Sequence, residues 1–117
     1  MNILVVDDEV LIRKSLVRAL SSRQHTVFEA ENGMEALKFL STEKIDAMIL
    51  DIMMPEKNGY EVLKEFNGNV AIVVISAFTG EELNTDSFKS DSRVKTIIKK
   101  PFSDLFAVTE EILRHLT

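Results

Sequence analysis

Six polar side chains stand where apolar runs of this sequence stop. Ile3 to Val6 runs into Asp7 and Asp8, Ala47 to Leu50 into Asp51, Val70 to Ile75 into Ser76, and Ile97-Ile98 into Lys99-Lys100-Pro101. Asp7, Asp8 and the following Glu9 occupy a place where phosphate-binding α/β proteins put Gly, Ser or Thr, so that backbone N–H groups meet the anion. Carboxylates there repel a phosphate unless a divalent cation intervenes. Capping is the plainer role, because acids at a helix start accept bonds from free N–H groups and suit the dipole, yet one acid suffices for that. A pair straddling a strand end reads as ligands for a hard cation such as Mg²⁺ (or Mn²⁺), which takes one or two carboxylates and keeps several waters.

Asp51 closes the most apolar run and is followed by Ile52-Met53-Met54-Pro55, then Asn58-Gly59. Pro55 opposes a helix directly after Asp51, so the carboxylate heads a loop at the end of a rigid strand. Beside a metal such a carboxylate can act as a nucleophile and take a phosphoryl group as an acyl phosphate. The Met53 backbone carbonyl is a further candidate ligand. Taken singly, Ser76 reads as a turn residue and Lys100 as a surface residue. Opposite a phosphoryl site the hydroxyl can bond a phosphoryl oxygen and the ammonium can neutralise charge in transfer, where positioning and electrostatics do most of the work.

For these groups to meet, the runs that precede them must be parallel strands ending at one rim. Strands are predicted over Asn2–Asp7, Thr26–Ala30, Ile45–Leu50, Val70–Ile75 and Lys95–Lys99. Helical patterns fill Glu9–Ser22, Gly33–Ser41 with Asn32 as N-cap, and Tyr60–Phe66. A last helix, capped by Ser103, places Leu105, Val108, Ile112 and Leu116 on one face. Between Thr79 and Arg93 the residues Asn84, Thr85, Asp86, Ser87, Ser90, Asp91 and Ser92 are poor helix formers, so a fourth helix there is expected to be short or mobile. Strict alternation of strand and helix predicts a doubly wound α/β domain spanning 1–117, with ligands outside the carboxyl ends of the strands where the strand order reverses.

Composition narrows the function classes. The net charge of −5 opposes a general nucleic-acid surface, and without cysteine there is neither a disulfide framework nor thiol chemistry. No apolar stretch is long enough to span a bilayer, and Met1 leads straight into a strand, which leaves no room for a signal peptide. The expectation is a soluble cytoplasmic protein with no direct contact to nucleic acid or membrane.

Five segments in order give the chain its resemblance to a known family. Val5-Val6-Asp7-Asp8-Glu9, Glu31-Asn32-Gly33-Met34-Glu35-Ala36-Leu37, Asp51-Ile52-Met53-Met54-Pro55 with Gly59, Ser76-Ala77 and Lys100-Pro101-Phe102 resemble the receiver domain of two-component response regulators over essentially the whole chain. The resemblance implies a five-stranded parallel sheet of order 2-1-3-4-5 with five helices on both faces, an order for which the flavodoxin-like proteins are a standard example. It implies Asp51 as phosphoacceptor, and Mg²⁺ held by Asp8, Asp51 and the Met53 carbonyl with Asp7 in support through water. Ser76 and Lys100 would bind the phosphoryl group, and Lys100-Pro101 would be a cis peptide. The implied donor is a phosphohistidine on a sensor histidine kinase or histidine phosphotransfer protein, and the implied output is a downstream protein target or an effector domain outside this sequence. On this reading the protein is a signalling switch and not an enzyme, beyond catalysing its own phosphorylation and dephosphorylation.

Three departures stand beside the resemblance. Ile97 occupies the place where receivers carry the Tyr or Phe that moves with the hydroxyl of Ser76, so the usual switch pair is altered. Asp91-Ser92-Arg93 replaces the small residues that usually precede the last strand. Met53 and Phe78, at positions through which receivers tune hydrolysis, cannot orient a water, which predicts a slowly lost phosphoryl group. Other classes fit less well. A flavodoxin-like cofactor binder needs a phosphate loop where Asp7-Asp8-Glu9 stands, and an aspartyl phosphatase needs an acid where Met53 stands. The remaining rival is a pseudo-receiver that docks partners without turning over phosphate.

Overall fold

The computed structural model describes residues 1–77 and 90–117. Five short runs form strands β1 (Asn2–Val6), β2 (Thr26–Ala30), β3 (Ala47–Asp51), β4 (Ala71–Ser76) and β5 (Val94–Lys99). Among the described residues the helices are α1 (Val10–Ser21), α2 (Gly33–Thr42), α3 (Gly59–Glu65) and α4 (Leu105–Leu116). The strands pair in parallel in the order β2-β1-β3-β4-β5, as the resemblance implied. The segment expected to hold a further helix, Thr79 to Arg93, lies outside the described residues up to Lys89, as does Phe78.

Strand periodicity divides the core into two layers. Leu4, Val6, Met48, Leu50, Ile72 and Val74 point to one face and are covered by Ala36 of α2 with Val62 and Leu63 of α3. Their neighbours Ile3, Val5, Ala47, Ile49, Val73 and Ile75 point to the other, against Leu16 and Leu20 of α1 and Ile112 of α4. Side chains alternate across a strand, so central strands covered on both faces must be apolar at every position. β3 is buried throughout.

Local signals set the boundaries and correct some of them. Asn32 caps α2 as predicted, its side chain accepting from Glu35 N–H. α4 is capped by Asp104 and not by Ser103; the Asp104 carboxylate accepts from the Phe106 and Ala107 N–H groups, and a charge there also suits the helix dipole. α1 starts at Val10, with Glu9 at the N-cap position but without a side-chain cap bond. At α3, Asn58 and Glu61 form a reciprocal capping box, a signature carried locally by Asn58-Gly59-Tyr60-Glu61. The Lys100–Pro101 bond is cis.

Candidate functional site

The order reverses between β1 and β3. From β1 the chain passes to β2 on one side, and β3 returns on the other, with α1 and α2 on opposite faces. Helices that diverge this way leave a crevice at the carboxyl ends of the two strands. Val6 and Leu50 are in register, so Asp7 and Asp51 leave the sheet side by side. Main-chain bonds hold the rim. Asp7 N–H donates to Ala30 O at 3.1 Å, Ile52 N–H to Ile75 O at 3.1 Å, and Lys100 N–H to Ser76 O at 2.7 Å. The loop after Asp51 is drawn back by Gly59 N–H, which donates to Ile52 O at 2.9 Å. A Cβ on Gly59 would stand 2.7 Å from the Asp51 carbonyl oxygen and 2.9 Å from Ile52 Cα, so only glycine fits this approach.

The three acids predicted from the sequence converge. Asp7, Asp8 and Asp51 each offer a carboxylate oxygen, and these oxygens all lie within 4.8 Å of one another. Asp7 and Asp51 are buried and Asp8 is exposed. Lys100 enters from the end of β5, its ammonium 2.9 Å from Asp7 Oδ2 and 3.4 Å from Asp51 Oδ2. Asp7 Oδ1 accepts from Glu9 N–H at 2.8 Å, so this acid also serves as a local cap. Asp7 Oδ2 is buried without a well-formed hydrogen bond, the charge contact with Lys100 aside.

Like charges at this spacing cannot all ionise cheaply. Burial first, then the Asp7 charge, pushes the Asp51 carboxyl up to about 8; Asp8 adds to the rise and Lys100 opposes it. Burial alone would lower Lys100, but its contacts with Glu9 and Asp7 and the field of Asp51 outweigh that and raise it. Sequence reasoning missed Glu9 as a member of the site. Its Oε1 lies 2.9 Å from the Lys100 ammonium, which explains why it caps nothing. The signal was present in the third consecutive acid, which was assigned to the helix start.

The other candidates are placed as follows. Ser76 ends β4, is buried, and sits in register with Lys99. Met53 is 53% exposed and lines a cleft of about 540 Å³ together with Asp8, Glu9, Ile52, Pro55, Asn58, Tyr60 and Ala77. Ile97, on β5 opposite Val74, is half-buried and packs against the layer covered by α2 and α3. A donor set of three clustered carboxylates, one with a buried oxygen lacking a formed hydrogen bond, suits a hard divalent cation.

Fold and site geometry together define a receiver-type architecture, and comparison with known proteins agrees. The family model described as the response regulator receiver domain matches residues 3–110. Response regulator RR06 of Streptococcus pneumoniae is 39% identical over 105 residues, covering 88% of this chain and 48% of its own. Response regulator MprA of Mycobacterium tuberculosis is 34% identical over 115 residues, covering 96% of this chain and 50% of its own. The chain therefore spans about half the length of these curated relatives. Among solved structures, the response regulator TrrA of Thermotoga maritima in complex with Mg²⁺-BeF superposes with a TM-score of 0.80 at 31% identity, covering 98% of both chains. The chemotaxis response regulator CheY4 of Vibrio cholerae gives 0.85 at 25% identity, again over 98% of both. The chain belongs to the response regulator receiver domain family. No helix among the described residues is long and apolar enough to cross a membrane.

Proposed function

We propose that this domain is a phosphorylation-dependent switch in which Asp51 accepts a phosphoryl group from a phosphohistidine of a sensor histidine kinase or phosphotransfer protein. The observation that carries the reading is the convergence of the Asp7, Asp8 and Asp51 carboxylates within 4.8 Å of one another, with the Lys100 ammonium 3.4 Å from Asp51. A carboxylate oxygen of Asp51 attacks phosphorus, an O–P bond forms, and the P–N bond to the donor imidazole breaks with its electron pair passing to nitrogen. Ionised Asp51 is the nucleophile, whereas burial and Asp7 favour its protonated form. A bound Mg²⁺ (or Mn²⁺) would supply the positive charge that favours ionised Asp51 and offsets its repulsion of the incoming phosphoryl oxygens.

Asp8, Asp51 and the Met53 carbonyl are the residues assigned to hold that cation, with Asp7 in support. Lys100, already drawn to this spot by three carboxylates, neutralises the phosphoryl oxygens, and the Ser76 hydroxyl bonds one of them. Beside this rim, Leu11, Ile12, Pro101, Phe102 and Leu105 line an apolar groove, and Leu11 is 83% exposed. That groove is the surface we assign to a donor protein. The output passes to a downstream protein target or to an effector domain joined to this one, with the half-buried Ile97 in place of the usual switch aromatic.

Acetyl phosphate or beryllofluoride should modify the wild type in the presence of Mg²⁺ and leave Asp51→Asn untouched, followed by intact mass or by amide shifts. Equal modification in EDTA would sink the cation-dependent reading. A wild type that resists both reagents would favour a docking module that works without phosphorylation.

A further inference from the structure

Arg13 is a buried charge that the proposed chemistry does not use. It is the fourth residue of α1 and only 9% exposed, and a guanidinium is kept inside a protein only when its donors are engaged. Its Nη1 donates to the main-chain carbonyl of Asp7 at 2.8 Å, and its Nε to Glu29 Oε1 at 3.0 Å. Glu29 lies on β2 opposite Val5 and is shared with Lys14 on the solvent side.

The Asp7 carbonyl needs such a donor. The ladders of β1 end at Val6, which faces Ala30 on one side and Leu50 on the other. Asp7 N–H still reaches β2, but its carbonyl has left the sheet and is met by α1. That carbonyl belongs to the peptide joining Asp7 to Asp8, and a peptide is a rigid plane. Fixing its oxygen fixes the direction in which Asp8 leaves, and with it the position of the Asp8 carboxylate relative to that of Asp7. Arginine suits the task because its fork offers donors at a fixed angle, one for Glu29 and one for the carbonyl; a lysine ammonium is a point charge on a flexible stem.

We propose that Arg13 is a positioning residue for the acidic site, with Glu29 as its anchor: the pair sets the geometry of the Asp7–Asp8 peptide and so the affinity for a divalent cation. The inference rests on the cation-binding reading of Asp7, Asp8 and Asp51 given above. Arg13 acts through a main-chain carbonyl, so its effect belongs to geometry and not to charge neutralisation.

The test is Mn²⁺ binding by the whole chain, read from the paramagnetic signal of the free ion with no phosphoryl donor present. Arg13→Lys keeps the charge and loses the fork, and Glu29→Ala frees the guanidinium. Each should weaken Mn²⁺ binding about 10–100-fold, the range seen when groups that orient metal ligands are removed. Glu29→Gln keeps an acceptor for Nε and should rescue binding to within about threefold of wild type on the same scale. Lys14→Ala removes the exposed partner of Glu29 and should bind as wild type. Should Arg13→Lys fail to fold, Glu29→Ala carries the same test from a partly exposed position. Wild-type affinity in the folded Glu29→Ala and Arg13→Lys proteins overturns the inference alone, as does an equal loss in Lys14→Ala. A wild type that binds no Mn²⁺ overturns the cation reading and this inference with it.

Discussion

Two charged clusters lie at opposite ends of β5, and they are built in opposite ways. At its carboxyl end one ammonium, Lys100, faces Asp7, Glu9 and Asp51, so negative charge is in excess and Asp51 is pushed up to about 8. Just before its amino end, Arg93 spends its donors fully. Nε and Nη2 take Asp91 at 3.0 and 2.8 Å, Nη2 also takes Leu63 O at 2.9 Å, and Nη1 takes Gly68 O at 2.9 Å and Phe66 O. The guanidinium also lies over the Phe66 ring, 5.7 Å from its centre. Here the bond from Arg93 draws Asp91 below the usual carboxylate range, and Asp91 in turn raises Arg93. The balanced cluster ties β5 to the end of α3, whose last carbonyls would otherwise lack partners. The unbalanced one is held in place by the fold with negative charge in excess. Charge complementarity marks the end that stabilises, and its deficit marks the end to which the proposed chemistry is assigned.

The comparison can be broken from either side, and the largest effect should come from the balanced end. Arg93→Ala strips three carbonyls of a donor, leaves Asp91 with only the main-chain N–H of residue 93, and should cost about 3 kcal/mol, within the range for breaking a well-paired charge that is largely out of water. Urea unfolding measures it, and a loss within error of zero would mean that the clasp is ornamental.

Next comes Asp51→Asn, which should stabilise the metal-free protein at pH 8–9 by about 2 kcal/mol, as replacing a poorly compensated buried charge by a neutral group of the same shape can do. The raised carboxyl holds a proton that the unfolded chain, near 3.8, has lost. Its stability is therefore complete below 3.8 and drains away as pH rises through about 8. Asp51→Asn should flatten that part of the profile, and an unchanged slope would refute the excess of charge at the site.

Asp91→Asn should have the smaller cost of about 1 kcal/mol, because an amide oxygen can still accept from Arg93. Its pH signature has the opposite sign. Asp91 is lowered from 3.8, so its contribution is present above 3.8 and lost as pH falls below it, and the variant should lose this acid sensitivity. The smallest effect should be that of Lys57→Ala, which removes the pair with the half-exposed Glu65 and should change stability by less than about 0.5 kcal/mol, as exposed pairs do. A loss above that of Asp91→Asn would show that exposure does not separate the clusters as argued.

Much of the proposed site was legible because its residues are adjacent to signals that are themselves local. An apolar run that ends in a carboxylate announces both a strand and what its end presents, and for Asp7, Asp8, Asp51, Ser76 and Lys100 that sufficed to name them. Asn32 was legible as an N-cap for the same reason. Glu9 was not, because its partner Lys100 is 91 residues away, and an acid at a helix start is locally indistinguishable from a cap. Ser103 and Asp104 compete for one N-cap, and the choice turns on which residue the chain leaves extended after Pro101, a matter of tertiary course.

By itself the sequence determined the alternation of strand and helix, the two-faced burial of the central strands, and the residues at their carboxyl ends, because periodicity and chain order carry that information. Only the tertiary structure decided that Asp7 and Asp51 stand side by side, that Lys100 is shared among three carboxylates, and that Arg13 reaches the Asp7 carbonyl from a salt bridge to β2. Those relations join residues distant along the chain, and a charge's partners, burial and protonation follow from what surrounds it in space rather than from what precedes it in sequence.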